Sequence, residues 1–103
     1  MEAQQYIMDV GLFVKLEAKS GKEDELEELL ESALAMAKDE TGTRRWFALK
    51  FDDGTFAIFD TFDSELDRQA HLDGPIAAML TDHADELLEL PLQPERLDII
   101  AAK

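Results

Sequence analysis

Residues 43–62 read TRRWFALKFDDGTFAIFDTF. Two stretches rich in aromatic and β-branched residues, 43–51 and 55–62, are separated by Asp52, Asp53 and Gly54. Strand-forming residues on both sides of an Asp-Gly pair are typical of a β-hairpin. With Asp53 and Gly54 as the turn, we expect Asp52 to pair with Thr55. The stretch therefore predicts an antiparallel pair of strands.

This register divides the hairpin into two faces, because side chains alternate along a strand. One face would carry Arg45, Phe47, Leu49, Phe51, Phe56, Ile58, Asp60 and Phe62, and the other Arg44, Trp46, Ala48, Lys50, Ala57, Phe59 and Thr61. Both faces are largely apolar, whereas an antiparallel sheet usually leaves one face in water. We therefore expect helices on the first face and a second copy of the chain on the other, with Trp46, Phe13 and Phe59 at the dimer interface. Stacking of these aromatic residues on a ligand is the alternative.

The residues before the hairpin predict a strand and a helix. Apolar residues occupy the even positions from Met8 to Ala18, which is the pattern of a strand with one buried face. Ser20 and Glu23 have the spacing of a capping box, which predicts a helix start. Leucine and alanine then recur at helical spacing as far as Thr41 and Gly42, where we expect Gly42 to end the helix in the left-handed conformation.

The residues after the hairpin predict two helices and a last strand. Asp63 and Ser64 can cap a helix through Leu72, and Pro75 suits the first turn of another helix that reaches about Leu88. Residues 96–102 alternate like a strand. The order β-α-β-β-α-β predicts a ferredoxin-like α+β sandwich with one antiparallel sheet and helices on one face. We expect a single domain over residues 1–103, with residues 1–6 flexible.

Composition excludes several kinds of partner. The 103 residues include 24 Asp and Glu against 10 Lys and Arg, a formal net charge of -14. Nucleic acids and anionic membranes are bound through clustered basic residues, so neither is expected as a partner. The chain has no Cys, which excludes disulfides and thiolate chemistry and fits a cytoplasmic protein. No apolar run approaches the roughly 18 residues of a membrane span, and the first residues do not resemble a signal peptide.

Two histidines are candidates for proton transfer near neutral pH. His71 lies near the end of a predicted helix, from which it could reach the sheet face that holds Asp60. The alternative is a helix-terminal histidine that stabilises nearby carbonyl groups. His83 lies beside Asp82 and Asp85 in the next helix and is expected at the surface.

Asp60 interrupts an apolar series on the face expected to be buried. A buried carboxylate must find a partner or its pKa must rise. Asp60 is therefore either a general acid or base or the partner of Arg45 or Arg68 in an ion pair. No phosphate-binding glycine loop, zinc-binding motif, calcium loop or nucleophilic serine elbow occurs in the sequence. An apolar site with one His and one or two carboxylates suits proton abstraction from a flat, weakly acidic organic molecule.

Several segments together resemble a known family. Residues 10–23 (VGLFVKLEAKSGKE) look like the first strand and helix start of the antibiotic biosynthesis monooxygenase family. Residues 42–43 (GT), 56–65 (FAIFDTFDSE) and 70–72 (AHL) are similar to later segments of that family, including its third strand and its helix histidine. The resemblance covers the chain from about Met8 to Ala102.

The resemblance implies a dimeric α+β barrel and a cofactor-independent monooxygenase. It would oxidise a small aromatic molecule such as a quinol, an anthrone or a polyketide-like compound with O₂, without a metal. His71 would be the base or proton shuttle and Asp60 its polar companion. The substrate-binding residues would be Phe62, Phe47, Leu12, Val14 and Arg45.

Two alternatives remain on the same scaffold. One is a non-catalytic dimeric module that binds a small apolar molecule, and the other is an isomerase that uses His71 for proton transfer. The family's haem-degrading members carry Asn, Trp and His at positions that resemble Val14, Phe62 and His71. Only the histidine matches, so haem is expected only as an atypical ligand.

Overall fold

The computed structural model describes residues 10–103. Within this range the elements are β1 (Val10–Glu17), α1 (Glu23–Asp39), β2 (Thr43–Lys50), β3 (Thr55–Phe62), α2 (Glu65–Leu72), α3 (Pro75–Leu87) and β4 (Glu95–Asp98). The strands form one antiparallel sheet in the order β2-β3-β1-β4. The predicted ferredoxin-like α+β sandwich is confirmed. The expectations for residues 1–6 and for a strand start at Met8 lie outside the described residues.

The core lies between one sheet face and the helices. Leu12 and Leu16 of β1 are buried on this face, as their even positions predicted, and they lie opposite Asp60 and Phe56 of β3. Burial of such side chains contributes roughly 1.5–3 kcal/mol each to the stability of the fold. The main cluster of the core is completed from the helices by Leu26, Leu30, Ala33, Ala37, Ile76, Leu80 and Leu87.

Both predicted ends of α1 are wrong in detail. The helix is preceded by Lys22, which makes no side-chain cap, so Ser20 and Glu23 do not form a capping box. Gly21 has a φ of +85°, so the chain turns there before the helix begins. In place of a side-chain cap, the acidic side chains of the first turn stabilise the helix start, because they lie at the positive end of the helix dipole. At the other end α1 stops at Asp39, and Gly42 is not left-handed.

The hairpin is present, but its register differs by one residue from the prediction. The backbone N–H of Phe51 donates to the carbonyl of Thr55 at 2.8 Å, so three residues rather than two form the loop. Gly54 takes the left-handed conformation with a φ of +81°, and Asp53 Oδ1 accepts a hydrogen bond from the N–H of Thr55. A three-residue loop that ends in a left-handed residue is a common hairpin connection.

This extra loop residue reverses the predicted faces of β2. Trp46 pairs with Asp60 on the face that the helices cover, and it packs against the core. Phe47 pairs with Phe59 on the opposite face, which we call the open face. The two rings stack with their centroids 6.3 Å apart. The prediction placed Trp46 on the wrong face. Its predicted position in a dimer interface is therefore wrong.

The remaining elements follow the prediction, except at the C-terminus. The Ser64 hydroxyl accepts a hydrogen bond from the N–H of Asp67 and caps α2, and Pro75 lies in the first turn of α3. β4 ends at Asp98, so the predicted strand over residues 96–102 is too long. Beyond Asp98 no strand partner exists among residues 10–103. No helix in the described range is long and apolar enough to cross a membrane.

Candidate functional site

Asp60 and His71 meet beneath the helices. Asp60 belongs to β3 and points to the helix face, where it is only 1% exposed. His71 lies in the last turn of α2 and is 8% exposed. Its Nε2 is 2.9 Å from Oδ2 of Asp60, which is an ion-pair distance. No hydrogen bond to that oxygen forms within the described range, so its contact with His71 is an ion pair.

Glu40 completes this group from the other side of the imidazole ring. It follows the last residue of α1, and its Oε1 lies 2.6 Å from Nδ1 of His71. The hydroxyl of Thr43 donates to the same Glu40 oxygen at 2.8 Å. Thr43 reaches this position because β2 has a register shift between Thr43 and Arg45. Each ring nitrogen of His71 therefore faces one carboxylate.

Burial and charge shift the pKa values of the buried pair in the same direction. Burial raises the pKa of the Asp60 carboxyl, although the adjacent imidazole partly opposes this. Burial alone would lower the pKa of His71, but the carboxylates of Asp60 and Glu40 outweigh it, and the net pKa is raised. Asp60 and His71 thus retain their protons more readily than the same groups would in water.

An apolar cavity of about 270 Å³ opens beside this pair, between the sheet, α2, α3 and the segment that leads to β4. Asp60, His71 and Thr81 are its polar residues, and none of the lining residues within 10–103 is Lys or Arg. Leu12 and Val14 line the cavity, and their role in substrate binding stays a prediction. The rest of the lining consists of Ile58, Leu72, Ile76, Ala77, Leu80, Leu92 and Pro94.

The other predicted substrate-binding residues lie outside this cavity. Phe62 is fully buried and packs against the imidazole of His71, with the ring centroids 5.2 Å apart. Phe47 and Arg45 are exposed residues of β2 on the open face, away from Asp60. Their assignment to the substrate site is wrong, because it rested on the predicted hairpin register.

The arginine partners proposed for Asp60 are also corrected by the structure. Arg68 is buried, and it donates to the carbonyls of Gly11 and Leu97 and pairs with Glu65. Arg45 is on the other side of the sheet. Asp60 does form an ion pair, but with His71. The second histidine, His83, is half-buried and donates from Nδ1 to the carbonyl of Met79 in its own helix.

Phe13 and Phe59 lie on the open face, as predicted, and pair with each other across β1 and β3. Phe47 extends this row on β2, where it is 46% exposed. The open face is therefore aromatic at its centre.

In residues 10–103 no group of three or more His, Cys, Asp or Glu residues is arranged to hold a metal ion.

Glu40 and the cavity wall from α3 were not singled out from the sequence. Glu40 carries a weak signal, since a carboxylate just after a helix lies at the negative end of the helix dipole and is unfavourable there. The wall residues of α3 look like ordinary apolar positions of an amphipathic helix. Nothing in the sequence distinguishes a helix that lines a cavity from one that is packed solidly.

Comparison with known proteins gives one relative of high sequence identity. A crystal structure of a Nitrosomonas europaea protein of unknown function is 48% identical in sequence, over 96% of each chain, with a TM-score of 0.92. The chain belongs to the same family as that protein. No protein-family model matches the sequence, and no curated protein does so either.

More distant structures show the same fold under a functional name. A candidate antibiotic biosynthesis monooxygenase from Nitrosomonas europaea is 15% identical over 94% of this chain and 96% of its own, with a TM-score of 0.79. Another, from Caulobacter crescentus, is 15% identical over 91% and 92%, with a TM-score of 0.78. At this identity the likeness concerns the fold alone. It supports the fold that the sequence resemblance implied.

Proposed function

We propose that this protein is a cofactor-independent monooxygenase that oxidises a small, neutral aromatic molecule with O₂. One observation carries the proposal: a buried Asp60–His71 pair lies in the wall of an apolar cavity of about 270 Å³. A carboxylate and an imidazole beside an apolar cavity can remove a proton from a weakly acidic substrate. The fold shared with candidate antibiotic biosynthesis monooxygenases supports the same class of reaction.

The reaction needs no external reductant when the substrate has an activated methylene group. The Asp60–His71 pair takes one proton, and the electron pair of the broken C–H bond stays on the substrate as a carbanion. The carbanion transfers one electron to O₂, and the radical and superoxide combine into a peroxide. The peroxide takes back the proton and loses water to leave a ketone. One oxygen atom enters the product and the other enters water.

The cavity favours a neutral substrate of limited size. Its volume of about 270 Å³ is slightly below the roughly 300–1,000 Å³ that is usual for small-molecule sites. Since none of the lining residues within 10–103 is Lys or Arg, these residues provide no basic side chain to pair with a negatively charged substrate. The chain's net charge of -14 also repels anions. Anthrones and quinols are neutral before deprotonation, and the proton lost during the reaction leaves the new negative charge beside His71.

Oxygen uptake over a panel of anthrones and reduced quinols tests this function. The wild-type protein should consume O₂ well above the autoxidation blank, and Asp60→Asn and His71→Gln should each lower the excess rate by about 100-fold or more. Uptake equal to the blank for every substrate would contradict the proposal. Turnover that continues unchanged without O₂ would instead indicate the isomerase, and binding without turnover would indicate the non-catalytic module.

We also propose that two copies of the chain pair through the open face. Phe13, Phe47 and Phe59 form an aromatic row there, and Phe47 is 46% exposed in the single chain. Aromatic residues are enriched in protein interfaces. The dimer is thus proposed on the same face as before, with Phe47 in place of Trp46.

A further inference from the structure

His71 separates two cavities of different character. On one side is the apolar cavity, which Asp60 also lines. On the other side is a polar depression of about 310 Å³, which Glu40 and Asp39 line at the end of α1. Its remaining lining consists of Thr41, Gly42, Thr43, Asp67, Ala70, Gly74 and Pro75. Among residues 10–103, His71 alone lines both of these cavities.

The position of Glu40 lowers the stability of the fold. It lies just beyond the C-terminal end of α1, where the helix dipole disfavours a negative charge. Its Oε2 is buried, and no residue in the described part of the chain donates a hydrogen bond to it. The other oxygen is held by Thr43 and His71 at 2.8 Å and 2.6 Å. Local features that disfavour folding are expected chiefly at functional sites.

We propose that Glu40 is a positioning residue, which keeps the ring of His71 doubly protonated and leaves Asp60 as the group that takes the substrate's proton. This inference rests on the proposed function, because it assigns the base within that site. It also makes a claim about the charge state of His71 that is independent of turnover.

The geometry around the ring carries the argument. Both nitrogens of His71 face carboxylate oxygens, at 2.6 Å and 2.9 Å. A nitrogen lone pair in either position would repel the carboxylate, so each nitrogen is expected to carry a hydrogen. A doubly protonated ring has no free lone pair and cannot act as a base. Asp60 is then the remaining acceptor in the cavity wall.

The resulting proton transfer balances without any further reactant. A C–H or O–H bond of the substrate breaks, an O–H bond forms on the carboxyl group of Asp60, and the electron pair stays on the substrate. The imidazolium of His71 remains beside the new anion and stabilises it in an apolar environment. Glu40 offsets the charge of the imidazolium from the polar side.

The charged groups that act on His71 come from two elements. Asp60 belongs to β3, and Glu40 follows α1; both favour the protonated ring. Asp39 and Asp67 border the same depression as Glu40, but neither forms an ion pair with the ring. Asp39 is the residue next to Glu40 and is exposed. Asp39→Asn is therefore a matched control that removes one neighbouring negative charge.

An NMR titration of the His71 ring tests the proposal in the wild-type protein, in Glu40→Gln and in Asp39→Asn. Glu40→Gln should move the titration midpoint to lower pH, while Asp39→Asn should leave it nearly unchanged. Glu40→Asp, which keeps the charge, should restore part of the difference. With an active substrate, Glu40→Gln should lower kcat by about tenfold or more near neutral pH. KM should stay the same, because Glu40 does not line the apolar cavity.

A midpoint that is unchanged in Glu40→Gln would overturn the proposal, and so would an equal shift in Asp39→Asn. If Glu40→Gln does not fold, Thr43→Val serves in its place, since it removes the hydroxyl that holds Glu40. That variant should shift the midpoint less but in the same direction, and no shift would contradict the proposal. The titration needs no turnover, so failure of the oxygenase assay leaves this test intact.

Discussion

The carboxylate of Asp60 lies 2.9 Å from Nε2 of His71, although the two residues come from different elements and both are buried. The contact joins the centre of the sheet to the last turn of α2. A buried ionised pair is costly unless its charges are compensated. Here Glu40 approaches the other ring nitrogen, and the apolar cavity leaves the pair accessible to a small molecule.

The pair makes stability depend on pH near neutrality. Since the pKa of His71 is raised above 6.5, the folded chain binds this proton more tightly than the unfolded chain. The stabilisation is fully present below pH 6.5 and is lost as the pH rises through the folded pKa. The raised pKa of Asp60 acts in the same sense at lower pH.

Urea unfolding at a series of pH values from about 6 to 9 measures this loss. The free energy of unfolding should fall with rising pH in the wild-type protein, and His71→Gln should flatten the fall. His83→Gln is the matched control, because the hydrogen bond of His83 goes to the carbonyl of Met79 in its own helix. This variant should retain the wild-type slope. A slope that His71→Gln leaves intact would show that another group is responsible.

Filling the apolar cavity should weaken substrate binding without changing the Asp60–His71 pair. Ala77 lines the cavity from α3, whereas the next residue, Ala78, is exposed on the outer side of the helix. Ala77→Phe should therefore raise KM or the ligand dissociation constant by about tenfold or more, a loss of roughly 1.4 kcal/mol or more in binding free energy. Ala78→Phe should bind like the wild-type protein. Equal binding by all three proteins would place the substrate elsewhere.

The aromatic row on the open face predicts how the dimer can be broken. Phe47→Asp places a charge on an exposed position of the edge strand β2, so it should leave the fold intact and give a monomer. Leu66→Asp, at an exposed leucine of α2 away from this face, should remain dimeric. Light scattering after size exclusion measures both masses. A wild-type monomer, or a dimeric Phe47→Asp protein, would refute the proposed interface.

Arg68 predicts a stability effect that is independent of the site. Its guanidinium donates to the carbonyls of Gly11 and Leu97, so one side chain of α2 holds β1 and β4 together. Arg68→Met should lower the free energy of unfolding by about 2–4 kcal/mol, because buried acceptors lose a charged donor. Arg44→Met removes an exposed arginine and should change stability by less than about 1 kcal/mol. Similar effects of the two substitutions would contradict the role assigned to Arg68.

The sequence predicts the fold well because its signals are local. Alternating residues in β1, the serine cap of α2 and the proline at the start of α3 depend on neighbours a few positions away. The hairpin shows the limit of such local signals. Asp53-Gly54 predicts a turn under either register, but the loop length decides which face Trp46 and Phe47 occupy. That choice is made by packing of Trp46 on the core, which no local pattern encodes.

The candidate site was likewise predictable from the sequence only in part. Asp60 and His71 attract notice as polar residues in apolar surroundings, and the structure brings them together. Glu40 is far from both in sequence and resembles the many acidic residues of the preceding helix α1. Its contact with His71 depends on how α1 ends relative to α2, and this is a property of the tertiary structure.

Anaerobic hydrogen exchange tests most directly the claim that Asp60 and His71 remove a proton from a molecule in the cavity. An anthrone incubated in D₂O under nitrogen exchanges its methylene protons, and NMR follows the rate against a blank without protein. The account predicts that the wild-type protein accelerates exchange by about 100-fold or more over Asp60→Asn. Equal rates for the wild-type protein, Asp60→Asn and the blank would contradict it.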